Sequence, residues 1–371
     1  MSKEQGSTTV QTANKPVRPV LIVSEHTVYE YSAFLEHLLA GLADESIAPG
    51  LVCPATCDVD SITPSNVQVI RFPTFDLPFM GWQNRRVLQQ QLAAFKPTVL
   101  HCLCEGKAAL TKGISAQMNL PYVLSVSSPQ KKWTRLPVST RRCSKIIVPA
   151  KSIGAGFAKA HPRLADRIQQ VNPGTFAAEA RAGILQPGRP ASMVTIHPLD
   201  RIGNFENVLA AVRHLVIEGY ELIFAIMGQG RAERHLRRLL AALGLLGTVV
   251  IVPRLKNWRS VVSAGDIYIR LEPTESFDPY VLEAMSAGTV TAACIRGVDE
   301  LLVDGQTCVT FEPDNELSIY NNLQRLFDRP EFARKLAEGA RQYIRQNHSV
   351  SKMVGDILQC YRDAQQRYEQ Q

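Results

Sequence analysis

SMVTIHPLDRIGNFENVLAAVRHLVIEGYELIFAIMG, residues 192–228, sets the fold class. Its two ends, SMVTIH (192–197) and LIFAIMG (222–228), are short apolar runs of strand length. The stretch between them predicts a helix from Phe205 to Ile217. Strand, helix and strand in that order form one crossover unit of a parallel sheet. Apolar runs that do not alternate suit strands covered on both faces.

The same rhythm continues in both directions. Downstream come a helix over Glu233 to Leu243, strands TVVIV (248–252) and DIYIRL (266–271), and a helix from Tyr280 to Ala287. Strands TVTAACI (289–295) and CVTFE (308–312) follow, with long helices after Leu317. Upstream, LQPGRPAS (185–192) predicts a linker through its two prolines, glycine and serine. Before it lie strands VLIVS (20–24), GLVCP (50–54), VQVIRF (67–72), TVLHCL (98–103), PYVLSV (121–126) and KIIVPA (145–150). Helical spacing shows at Phe34, Leu35, Leu38, Leu39 and Leu42, and again from Val87 to Phe95. Two such series in one chain predict two Rossmann-like, doubly wound α/β domains facing a cleft, over 19–185 and 186–346.

The chain has 371 residues, 45% hydrophobic and 20% charged, enough for two cored domains and unlike disordered or fibrous sequences. Eight cysteines (53, 57, 102, 104, 143, 294, 308, 360) form no CxxC and no pairing with His, which predicts buried thiols and no zinc or disulfide framework. Residues 1–18 read as a loose, disordered tail without the apolar middle of a secretion signal. The longest uncharged stretch, 239–253, falls short of the roughly 20 residues that span a bilayer. A cytoplasmic protein is expected. The net charge is +7, and Gly106 to Ala165 contains no acid while Lys107, Lys112, Lys131, Lys132, Arg135, Arg141, Arg142, Lys145, Lys151, Lys159 and Arg163 are all basic. Such a block fits nucleic acid, anionic lipid or a phosphorylated substrate, or is a cationic face with no partner.

Ligands of open α/β sheets bind beyond the carboxyl ends of the strands, so the loops there carry the chemistry. The richest is LEPTESFDPYVLEAMSAG (271–288), which leaves a strand and starts a helix at Pro279, where free N–H groups favour an anion. Glu275 stands in the loop and Glu283 two turns into the helix. Paired carboxylates serve acid–base chemistry or accept from sugar and ribose hydroxyls. After the first strand, Glu25 and His26 are either acceptor-site groups or members of an exposed loop.

ExxxxxxxE followed by AMSAG resembles the signature of the retaining family 4 (group 1) glycosyltransferases of GT-B fold. MGQGRAERHLRRLLAALGL (227–245) resembles that family's glycine-containing strand end, RGVDELLVDGQTCVTFEP (296–313) its GGxPE stretch, and VNPGTF (171–176) its domain-crossing turn. The resemblance is good over 145–345 and weak over 19–144. It implies that Glu283 holds ribose hydroxyls and Glu275 the transferred sugar. It also implies that Gly228 and Gly230 let the backbone approach the nucleotide, that Arg254 and Leu255 lie near the base, and that His101 lies at the acceptor cleft with a catalytic role. A last helix, 347–371, would return to the first domain. The alternatives are an ordinary exposed carboxylate for Glu283, a plain tight turn at the glycines, and a satisfied strand-end histidine at His101.

The chain departs from the family where phosphate binds. Negative charge builds on a departing diphosphate and needs fixed cations. In IHPLDRIGNFENVL (196–209) His197 stands at the family's Arg position and Ile202 at its Lys position, with Arg201 one residue away. The family's EGFG becomes Glu275, Ser276, Phe277 and Asp278, which sets a carboxylate and then a proline where amides are usually free. Ser127 replaces a family histidine.

The expected protein is therefore a hexosyltransferase of polysaccharide or lipid biosynthesis. It would use a UDP- or GDP-sugar with retention, and neither a metal nor another cofactor. Glu275 and His101 would be catalytic. Glu283, Gly228, Gly230, Arg201, Arg231, Arg254, Phe277, Asp278 and His197 would bind the donor. The acceptor would be a glycan or lipid, with residues 107–163 against an anionic membrane at its inner face. The rivals are a catalytically inactive GT-B partner subunit and a basic nucleic-acid-binding protein; sparse aromatics in the block argue against the latter.

Overall fold

The computed structural model describes residues 16–72, 81–129, 136–178, 184–295, 297, 298 and 300–370. The first half contains β1 (Pro19–Ile22), α1 (Glu25–Glu30), α2 (Ser32–Asp44), β2 (Gly50–Pro54), β3 (Gln68–Phe72) and α3 (Gly81–Phe95). It continues through β4 (Val99–Cys102), α4 (Ala108–Met118), β5 (Tyr122–Ser125), β6 (Cys143–Val148), α5 (Lys151–Ala160) and β7 (Ile168–Gln170). These strands form one parallel sheet in the order β3-β2-β1-β4-β5-β6-β7. The second half runs β8 (Ala191–Ile196), α6 (Gly203–Ile217), β9 (Leu222–Met227), α7 (Glu233–Ala242), β10 (Val249–Val252) and α8 (Trp258–Ala264). It ends with β11 (Ile267–Arg270), α9 (Pro279–Ser286), β12 (Val290–Cys294), β13 (Val309–Phe311), α10 (Glu316–Asp328), α11 (Pro330–Asn347) and α12 (Val350–Glu369). Its sheet is parallel in the order β10-β9-β8-β11-β12-β13. The fold is the expected two-domain α/β one.

In both sheets the strand order reverses beside the first strand, between β1 and β4 and between β8 and β11, which opens a crevice at their carboxyl ends. Every residue of β1, β2, β4, β11 and β12 is buried, as layers of helix on both faces require. All eight cysteines are buried thiols. The segment read as a linker is pinned to the second sheet. Asp266, fully buried, accepts from the Leu185 N–H at 3.2 Å, the Ser192 N–H at 2.9 Å and the Arg189 guanidinium.

α12 crosses back onto the first sheet, where Val350, Met353, Val354, Ile357 and Tyr361 join a core with Leu21, Leu51 and Val99. It lies so close to α2 that a Cβ on Gly41 would stand 2.6 Å from a Val354 methyl carbon. The helices α1, α4, α5 and α8 and the strand β7 are not read from the sequence. The supposed loop at Glu25 and His26 is the helix α1, fixed by a cap: Ser24 Oγ accepts from the Thr27 N–H at 3.2 Å, and the Thr27 hydroxyl reaches back to Ser24. β7 is only three residues long. Lys131, Lys132, Trp133 and Arg135 of the basic block lie outside the described residues, and Lys145 of that block is paired with Asp363 of α12 at 2.9 Å.

Candidate active site

The two halves meet through α1, α2 and the loops after β4 and β5 on one side, and α8, α9 and the loop 271–278 on the other. Pro279 occupies the first turn of α9, as its sequence position demands, and Asp278 is the N-cap. The Asp278 carboxylate accepts from the N–H groups of Tyr280 at 2.9 Å and Val281 at 3.2 Å. The amides expected to face a diphosphate are thus already bonded to the chain's own carboxylate, a correction to the reading of this helix start as open. Partial withdrawal from water raises the Asp278 carboxyl above its ordinary value, against the opposing pull of Arg270 and His197. Arg270, buried at the end of β11, went unnoticed in the sequence because it sits inside an apolar strand run.

Phe277 is packed into the seam between the halves and also lines the cleft there. Its ring is buried with Trp258, Val281 and Leu282, its N–H donates to Ser127 O at 3.3 Å, and its carbonyl accepts from the Tyr31 hydroxyl at 3.3 Å. It ties the two halves together. Arg254 is likewise engaged by the fold. Its guanidinium meets the Glu30 carboxylate, the Tyr280 hydroxyl and, at 2.9 Å, the Tyr29 carbonyl. Lys256 pairs with Asp58, Arg259 with Glu36, and the Trp258 indole N–H donates to Ser32 Oγ at 3.4 Å. Four consecutive contacts from 254–259 therefore clasp the first domain. None is legible in sequence, since each partner lies about 200 residues away.

Gly228 and Gly230 are needed for close approach, but by the chain itself. A Cβ on Gly228 would stand 2.0 Å from His197 O, and one on Gly230 2.4 Å from the Leu199 backbone. His197 is half-buried, 3.5 Å from the Glu272 carboxylate, and burial lowers its pKa, so it is a weaker cation than the arginine it replaces. Arg201, Arg231 and Glu275 are exposed, on the segments that follow β8, β9 and β11.

Glu283 is not an exposed helix carboxylate. It is 8% exposed, with an oxygen 3.6 Å from His37 Nδ1 of α2. Burial raises its pKa to about 7. His37 is equally enclosed and is held down to about 4 by burial and by the Arg259 charge. Arg259 donates to His37 Nε2 at 3.1 Å, which leaves the Nδ1 hydrogen for the Gly174 carbonyl at 3.2 Å and fixes a neutral imidazole.

His101 is a correction. It lies at the end of β4, but it is fully buried, bonded through Nδ1 to the Tyr361 hydroxyl at 2.7 Å and through Nε2 to Ser125 Oγ at 2.8 Å. Burial holds its pKa near 3. Both ring nitrogens are occupied by the fold, so it is a structural tie between β4, β5 and α12.

The carboxyl ends of β1, β4 and β5 and the start of α9 line an open-mouthed, largely apolar cavity. Glu105 stands in its wall, held by the N–H groups of Ser127 at 2.7 Å and Ser128 at 3.1 Å. The sequence signal for it was position: it is the first charged residue after the strand ending at Leu103. Among the described residues no cluster of three His, Cys, Asp or Glu side chains could hold a metal ion, and no helix is long and apolar enough to cross a membrane.

Residues 177–343 match the family model of glycosyl transferases group 1. The chain is 27% identical over 161 residues to an alpha-D-kanosaminyltransferase of Streptomyces kanamyceticus, covering 43% of this chain and 42% of that one. It is 22% identical over 279 residues to a sulfoquinovosyl transferase of Arabidopsis thaliana, covering 68% of this chain and 54% of that one. The chain thus spans about half the length of the curated relatives it matches. Among solved structures, a glycosyltransferase from Rickettsia africae superposes with a TM-score of 0.77 at 14% identity, over 94% of this chain and 99% of that one. An Anabaena protein solved with UDP and glucose gives 0.77 at 13% identity, over 93% and 99%. Residues 177–343 therefore carry the glycosyl transferases group 1 match, and the whole chain, with two facing parallel sheets, has the GT-B fold of these solved relatives of the glycosyltransferases.

Proposed function

We propose that the chain transfers a hexose from a UDP- or GDP-sugar to a hydroxyl of a glycan or lipid acceptor, with retention and without a metal. The observation that carries the reading is the placement of the loop and helix with Glu275 and Glu283 at the carboxyl end of β11, opposite the carboxyl ends of β1, β4 and β5. A solved neighbour of the same fold was crystallised with UDP-glucose, which supports a nucleotide-sugar donor.

In this reading Glu275 takes the sugar hydroxyls, Glu283 reaches the ribose from the seam, and Arg201 and Arg231 meet the diphosphate at the mouth. The bond from the anomeric carbon to the diphosphate oxygen breaks, and its electron pair leaves with the nucleoside diphosphate. Retention sets the acceptor oxygen on the face being vacated. The departing phosphate oxygen is then the nearest base, and it takes the hydroxyl proton as the new C–O bond forms. Arg201 and Arg231 stabilise the charge that accumulates there, a role in which one lost contact typically costs a few kcal/mol. Residues 107–163 would rest on an anionic surface; equal flotation with neutral and anionic liposomes would remove that part.

The test is calorimetry of UDP, GDP, ADP and their common sugar conjugates with the full chain, with release of free nucleotide followed in the same samples. Binding and turnover that fall together in Arg201→Ala and Arg231→Ala support the reading. The Asp278 cap favours one second reading, an inactive partner subunit of the same fold. Absence of binding by every nucleotide selects it.

A further inference from the structure

The polar groups in the wall of the interdomain cavity are mostly engaged by the fold itself. Ser125 Oγ is bonded to His101, the Thr27 hydroxyl to Ser24, the Tyr31 hydroxyl to Phe277 O, and Ser127 to Glu105. Burial pushes the Tyr31 phenol up to about 12, so it stays protonated and keeps donating. What remains facing the space is apolar: Phe34, Leu103, Val126, Ile147, Val171 and Leu282. The exceptions are the exposed His26 and two carboxylates, Glu105 and Glu283, which can only accept hydrogen bonds while ionised.

An oligosaccharide in this space would lose water from many hydroxyls and find polar partners at three side chains only, and burying a polar group without a partner is costly. An alkyl chain or an aromatic ring loses nothing there and gains by leaving water. Glu105 is held by two backbone amides, so its oxygens are fixed and one hydroxyl can be oriented against them.

We infer that the cavity takes the apolar part of an amphiphilic acceptor, an aliphatic or aromatic group adjoining the hydroxyl that receives the sugar. This rests on the transferase reading above, of which it names the acceptor class.

The experiment is calorimetric titration of methyl, butyl, hexyl and octyl β-D-glucoside into the full chain, each below the concentration at which it forms micelles. Nucleotide release from UDP-glucose and GDP-mannose is followed with the same acceptors. The dissociation constant is expected to fall about fourfold per added methylene until the cavity is filled. Phe34→Ser, in the wall, should flatten that dependence, whereas Leu246→Ser, at an exposed apolar residue away from the cavity, should leave it intact. Equal affinity across the series, or an unchanged dependence in Phe34→Ser, overturns the inference even if sugar is transferred. A chain-length dependence that Phe34→Ser flattens, without turnover of any donor, upholds the cavity's ligand class and removes the transferase reading instead.

Discussion

Glu283 and His37 form a buried pair whose two titrations oppose each other, and replacing one member should expose the other. In the fold Glu283 titrates at about 7 against an ordinary 4.5, and His37 at about 4 against 6.5. The native state therefore keeps a proton on Glu283 that the unfolded chain has released. Its contribution to stability is full below about pH 4.5 and is lost as pH rises to about 7. His37 does the reverse: the unfolded chain binds a proton the native state refuses, so its contribution is full above about 6.5 and is lost as pH falls to about 4. Each shift corresponds to ~3 kcal/mol. In the intact protein the two slopes cancel between roughly pH 4.5 and 6.5. Urea denaturation of the native chain, Glu283→Gln and His37→Gln from pH 4 to 7.5 isolates each member, since every other titrating group is common to the three. Relative to the native chain, Glu283→Gln should gain ~3 kcal/mol as pH rises across this range, and His37→Gln should lose a similar amount. A pH-independent difference for both refutes the argument. A Glu283→Gln difference of opposite sign would mean that the fold holds an ion pair rather than a neutral acid beside a neutral imidazole.

Three further outcomes follow from packing and hydrogen bonding. Asp278→Ala removes the cap of α9 and should cost ~1 kcal/mol, while freeing two amides so that UDP binds more tightly; unchanged affinity by calorimetry places the diphosphate elsewhere. Gly228→Ala drives a methyl group into the His197 carbonyl and should destabilise by about 1–3 kcal/mol in urea titration, with wild-type stability showing that the 197–200 loop yields freely. Asp266→Ala strands the Leu185 and Ser192 amides in the core and leaves Arg189 without its carboxylate, a loss of about 3 kcal/mol; less than 1 kcal/mol would show that water replaces the carboxylate.

The fold was legible because its information is local. The central strands β1, β2, β4, β11 and β12 are buried on both sides and therefore written as apolar runs, and α2, α3 and α6 show their spacing. What escaped was held by caps or by distance. α1 has six residues and no room for periodicity, so only the Ser24 and Thr27 side chains mark it. The seam depends on pairs such as Glu30 with Arg254, 224 residues apart, which leave no pattern in either segment. Sequence could place Arg254 on a loop beyond a strand, but not say whether a base or a carboxylate would reach it first.

The same limit governs the helix start at Pro279. A backbone amide there has one hydrogen to donate, and a phosphate oxygen or the Asp278 carboxylate can each accept it. Both acceptors are negative, so their charges alone would make them repel. The structure adds that they compete for the same two donors, on Tyr280 and Val281. Repulsion alone would only weaken a donor contact, whereas in the transferase reading a donor phosphate on these amides would bind by exchange, with the cap turning away. Donor affinity is then set by the difference between two anions on one helix end. The departure from the family pattern at this residue is therefore a lever on affinity rather than a proof of lost chemistry, and Asp278→Ala measures its size directly.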